Sequence, residues 1–283
     1  MDSEYFNSYN MCWGTLGTVR PFSNFHPDRD VMAIKAALEN KDTVTLVRIL
    51  TNRSNAQRQV IAEAFKASTQ KDIVTALKKA VSGDLVLLLV ELLIPSVEYE
   101  AYRFQEAMAV MYNKDLEKEL QGETSGDFAK LVTALLNKDC VAAAVQKDIE
   151  TLSASLKGKK ADAGPWIDIL TSRDLDHLNN VLIGLEVELE QTVDQIVEKR
   201  FTGDFRLGLK VLVQCIQSPG VYLAKKLQTM KKELVQRIMV SHSEEDLLCI
   251  RAAFIKLTGN SLYTALQVGD HLQALLAICR SED

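Results

Sequence analysis

Four lines of this sequence repeat one another: SGDLVLLLVELL from Ser82, SGDFAKLVTALL from Ser125, TGDFRLGLKVLV from Thr202 and VGDHLQALLAIC from Val268. Self-similarity of this kind constrains a chain more than any total does, because each copy must be one supersecondary unit whose apolar face is covered by its neighbours. Each copy reads as a turn followed by a helix: the Gly permits the left-handed conformation that closes one helix, and the Asp after it caps the next. Apolar residues then follow at helical spacing, Leu85, Leu88, Leu89 and Leu92 in the first copy, Phe128, Leu131, Val132 and Leu135 in the second, and Leu272, Leu275, Leu276 and Cys279 in the last. The third keeps Phe205, Leu209 and Leu212 but has Gly208 in the stripe.

A second line recurs upstream of the first, as VRILTNRSNAQRQVIAEAF, IDILTSRDLDHLNNVLIGL and QRIMVSHSEEDLLCIRAAF. Arg53 to Gly83 and Arg173 to Gly203 are each 30 positions apart, whereas His242 to Gly269 is 27. The polar cluster inside this line reads as a helix corner. Ser54 with Gln57, and Ser243 with Asp246, fit N-cap pairs that satisfy orphan backbone N–H groups, and Asp174 fits as the third cap. Arg53 and Arg173 fall where a helix ends, and there a cation meets exposed carbonyls and the negative end of the dipole.

With 47% hydrophobic residues, 5 Pro and 13 Gly, the chain is poor in breakers and reads as all-α. A net charge of −5 argues against a nucleic-acid partner, since a phosphate backbone is held by concentrated Lys and Arg. The five cysteines show no metal-ligand spacing and read as reduced thiols. Neither a secretory leader nor a stretch of about 20 apolar residues is present, so contact with a membrane is expected to be peripheral and the location cytoplasmic. The four histidines lack HExxH spacing, there is no GxSxG turn, and GTLGTV lacks the third Gly of a dinucleotide loop, so no enzyme is expected.

At TNRSNAQRQ from Thr51, DLEKEL from Asp115 ahead of TSGDF, LVQCIQ from Leu212 and RIMVSHSE from Arg237, the sequence resembles the annexins. The resemblance implies an annexin-like disc of four repeats, each of about five helices, and calcium-dependent docking on an anionic phospholipid surface. It sets an N-terminal arm at 1–27 and repeats at 28–94, 95–136, 137–217 and 218–283, the second truncated. The arm, with Pro21 and Pro27, reads as extended chain laid against the core.

In the family, calcium is held by carbonyls of a GxGT loop between the first two helices of a repeat and by an acid three positions before the Gly of the SGD turn. Calcium takes several oxygen ligands, so both parts are needed. Repeat one has a shortened loop at Lys41 and Asp42, and Ala80 stands at the acid position. Repeat two keeps the acid as Glu123 but lacks the loop and the second helix, which leaves Glu123 as a residual metal ligand at most. Repeat three carries LKGKKADAGP from Leu156 to Pro165, with Lys160 and Ala161 in place of the second Gly and the Thr, and Arg200 in place of the acid. There a cation repels a divalent ion. Repeat four has no such loop, and Leu266 replaces the acid. The family cofactor, calcium, is therefore expected to bind weakly or not at all. Lys157, Lys159 and Lys160 are expected to meet lipid headgroups directly. A scaffold binding a protein partner through its helical faces, and a deletion-bearing product of reduced stability, stay open as alternatives.

Overall fold

A computed structural model describes residues 16–96, 98, 99, 122, 124–136, 143–158, 160–268 and 273–280. Every regular element among the described residues is a helix, as the repeat pattern predicts. The first five are α1 (Pro27–Asn40), α2 (Thr43–Leu50), α3 (Asn55–Thr69), α4 (Ile73–Ala80) and α5 (Asp84–Leu92). A single helix, α6 (Gly126–Leu136), precedes a second group of five: α7 (Val145–Ser155), α8 (Gly164–Ser172), α9 (Leu175–Leu189), α10 (Val193–Arg200) and α11 (Gly203–Gln217). The last five are α12 (Pro219–Leu227), α13 (Lys232–Ser241), α14 (Leu247–Thr258), α15 (Leu262–Val268) and α16 (Gln273–Cys279).

The chain forms two compact units, one of Met1–Phe104 with Leu223–Asp283 and the other of Gln105–Tyr222. Each has its own core. In the first, Leu46, Leu50, Ile61, Leu77, Leu88 and Leu89 are fully buried; each contributes about 1.5–3 kcal/mol by leaving water. In the second, Trp166 is fully buried and meets Phe201 edge to face at 5.5 Å, while Phe201 meets Phe205 at 5.3 Å. Cys215, Cys249 and Cys279 are thiols rather than disulfides.

Local chemistry explains where the helices begin. Ser54 accepts from the Gln57 amide at 3.3 Å, and the Gln57 side chain accepts from the Ser54 amide at 3.2 Å, a complete capping box on α3. Asp174 accepts from the His177 amide at 2.8 Å and caps α9. The expected pair of Ser243 with Asp246 does not form. Ser243 donates instead to the Val240 carbonyl, and Asp246 takes the His242 ring at 2.6 Å, a partner one turn away that the other two corners lack.

Two further expectations are corrected. Gly83 lies at φ 71°, ψ −158°, a region open essentially to glycine alone, but it is not the left-handed close of α4: Gly83 is itself the N-cap position of α5, and Asp84 occupies the first turn. Of the second copy's apolar stripe only Leu131 is fully buried; Leu135 is 39% exposed. Gly208 is explained by close packing, since a Cβ there would lie 2.7 Å from the Phe128 ring.

The corners are bolted by side chains the sequence did not reveal. Arg53 is held through Nε and Nη2 to the Asp30 carboxylate of α1 at 2.7 and 2.8 Å, with its guanidinium 4.0 Å above the Phe22 ring. Arg173 grips Asp148 of α7 at 2.8 and 3.3 Å, and the His177 ring meets the same carboxylate at 2.8 Å. The expected role at the helix-end carbonyls is thus minor for Arg53, which gives one donor to the Asn52 carbonyl.

Deeper in the first corner, Arg58 is buried and donates to the carbonyls of Leu50, Arg53 and Leu92 and to Glu244 at 3.0 Å. Burial pushes its guanidinium down to about 10, against the pull of Glu244. The arm runs beside this corner. Leu248 donates to the Leu16 carbonyl and Val19 to the Ser243 carbonyl, each at 2.9 Å, and Phe22 exchanges two hydrogen bonds with the Gln57 side chain.

Candidate functional site

The α7–α8 connection is long enough to enclose an ion, and its residues build it from the root upward. Lys157 donates to the Ala154 carbonyl and Leu156 to Ser153, each at 3.2 Å, which tightens the last turn of α7. The Asp162 amide returns to the Ser155 carbonyl at 3.0 Å and closes the loop. The Asp162 carboxylate then accepts from the Gly164 amide at 3.0 Å, starting α8, where Pro165 fits the first turn. The Trp166 indole donates to Ser155 Oγ at 3.0 Å and so anchors the same root to the core.

Into this loop comes Arg200, the last residue of α10. Its Nη2 donates to the carbonyl of Leu156 and, at 2.6 Å, to that of Gly158. The two carbonyls converge on one cationic group. Lys157 and Lys160 are exposed on the same loop, while Lys159 lies outside the described residues.

The corresponding connections elsewhere are short. Between α1 and α2 stand only Lys41, left-handed at φ 54°, and Asp42. Asp42 accepts from the Thr45 amide at 3.0 Å, and hydrogen bonds from Thr45 hold its carboxyl below the usual range, so this acid is engaged as a helix cap. Ala80 is half-buried. Between α12 and α13 four residues, Gln228 to Lys231, make the turn, with Met230 at φ 48°, and Leu266 is fully buried. Glu123 lies outside the described residues.

The Annexin family model matches residues 29–92. Annexin A9 of Mus musculus is 32% identical over 318 aligned positions, covering 96% of this chain and 92% of the relative. The chain belongs to the annexin family. Annexin A9 of Homo sapiens is likewise 32% identical, over 98% of this chain and 93% of its own. The solved structure of annexin III matches with a TM-score of 0.85 and 27% identity, over 95% of this chain and 98% of that one. These matches extend over almost the whole chain. An alignment of 318 positions exceeds the 283 residues of this annexin, so it contains gaps opposite residues of the relative.

Annexins bind phospholipids in a calcium-dependent way, so calcium is the ion these loops would have to hold. A calcium ion takes about 6–8 oxygens. In the α7–α8 loop two carbonyls are already engaged by N–H donors, and the neighbouring side chain is a guanidinium rather than a carboxylate. Among the described residues no group of three or more His, Cys, Asp or Glu side chains is arranged to hold a metal. Neither the Lys41–Asp42 connection, whose acid caps α2, nor the described part of the α7–α8 loop presents that set of oxygens. Sequence reasoning found Arg200 by its position but read it only as a charge that repels; its donors aimed at the loop carbonyls were missed. A basic residue at a ligand position, opposite a loop of converging carbonyls, was the available signal.

Proposed function

We propose that this annexin is a peripheral membrane protein that meets anionic phospholipid with little or no dependence on calcium. The observation that carries the reading is the α7–α8 loop: its carbonyls turn inward to Arg200 while Lys157 and Lys160 face solvent. Lysines near an anionic surface gain about 1 kcal/mol each, so Lys157, Lys159 and Lys160 together supply a useful, salt-sensitive attraction. Among the described residues no helix is long and apolar enough to cross a membrane. The role proposed is a non-catalytic one at the cytoplasmic surface of a membrane. The repeats run 28–94, 95–136, 137–217 and 218–283, with α6 in the truncated second. Glu123, the residual family acid, is where any surviving calcium response is expected to originate.

Co-sedimentation with phosphatidylserine-containing vesicles tests this directly. Binding should be equal in calcium and in chelator. Lys157→Glu with Lys160→Glu should weaken it about thirtyfold or more, since two attractions of about 1 kcal/mol each are lost and replaced by repulsion. Binding that vanishes in chelator would overturn the proposal, and if Glu123→Gln also removed that calcium response it would locate the ion in the second repeat.

A further inference from the structure

We infer that Arg200 is a resident cation: it stands in the α7–α8 loop where a metal ion would otherwise be required, and holds the loop in its folded form without one. Carbonyl dipoles that converge on one point repel each other unless positive charge or N–H donors lie between them. Nη2 of Arg200 supplies both, to Leu156 and Gly158.

The group delivering this charge is fixed at its base. The next residue, Phe201, is buried, and its amide donates to the Val197 carbonyl at 3.1 Å. Its ring is flanked edge to face by Trp166 and Phe205. Trp166 in turn donates to Ser155, whose carbonyl accepts the amide that closes the loop. Arg200 and the loop root are thus two ends of one packed assembly. A tethered cation is present at a fixed effective concentration, whereas a free ion binds only as its concentration allows. The loop should therefore be ordered at any calcium level.

Amide hydrogen exchange of the full chain, in calcium chloride and in chelator, reads this out at the loop amides, above all that of Asp162. In the parent chain exchange should be the same in both. In Arg200→Ala it should be at least about tenfold faster in both, since two charge-assisted hydrogen bonds are lost and one alone is worth about that factor. In Arg200→Glu, which puts a carboxylate on the same tether, it should be fast in chelator and slowed by calcium. A parent loop that gains protection from calcium, an Arg200→Ala loop that exchanges like the parent, or an Arg200→Glu loop indifferent to calcium would each overturn the inference. The parent comparison needs no variant, so it stands even if a substitution prevents folding. The readout is the free chain's own exchange, so failure to bind vesicles would leave it intact.

Discussion

Arg53 grips Asp30 in the first group of five helices as Arg173 grips Asp148 in the α7–α11 group, yet the loops ahead of these corners share almost nothing. One connection is the two residues Lys41 and Asp42; the other is eight residues, Leu156 to Ala163, closed around a guanidinium. The corner ties three helices together and is needed for folding whatever the protein binds. A loop at the helix ends carries little of the core and is free to change with function. In these two groups of helices, the corner and the loop ahead of it are separately encoded.

Breaking either corner gives the largest expected effect. Asp148 is 5% exposed and serves two partners, so Asp148→Ala leaves Arg173 without its carboxylate and His177 without its acceptor. Loss of one partner of a buried pair costs about 3–5 kcal/mol, and this variant should lie near the top of that range. Asp30→Ala should lie near the bottom, because Arg53 keeps its contact with the Phe22 ring. Urea unfolding of the two variants checks the ranking, and a corner that tolerates the change would not be a shared bolt.

A sharper contrast lies five residues further on, where Arg58 of the first corner corresponds to Leu178 and, in the last group, to Leu247, both buried. If the corner geometry merely needed bulk there, Arg58→Leu would be neutral. The structure predicts a loss of about 2 kcal/mol instead, since buried carbonyls of Leu50, Arg53 and Leu92 would lose donors. The reverse change, Leu178→Arg, puts a charge at a site that is only 2% exposed and should be worse tolerated.

What could be read in advance was what is local. The caps at Ser54 and Asp174 join residues three apart, and sequence spacing alone identifies them. Asp30 and Asp148 lie 23 and 25 positions from their arginines, and no periodicity links residues so far apart. Ser243 failed as a cap although its spacing was right, because α14 begins only at Leu247, which puts Asp246 rather than Ser243 at the N-cap position. At Arg200 the position was legible but the role was not: whether a cation repels an absent ion or replaces it depends on where the carbonyls point. The all-α fold survived these errors because it rests on many apolar positions, of which Leu135 is one that came out exposed.

Acid should separate the two corners more gently than mutation, and with no effect at neutral pH. Burial raises the Asp148 carboxyl, but hydrogen bonds from Arg173 and His177 outweigh it and hold the group below its ordinary 3.8. A carboxyl lowered on folding adds stability that is complete above its unfolded value and is lost as pH falls through its folded value. The Tm gap between the parent chain and Asp148→Asn should therefore be constant from pH 7 to about 5 and narrow only below about 4. A gap that already changed between pH 7 and 5 would mean that a group other than the Asp148 carboxyl sets the corner's response to acid.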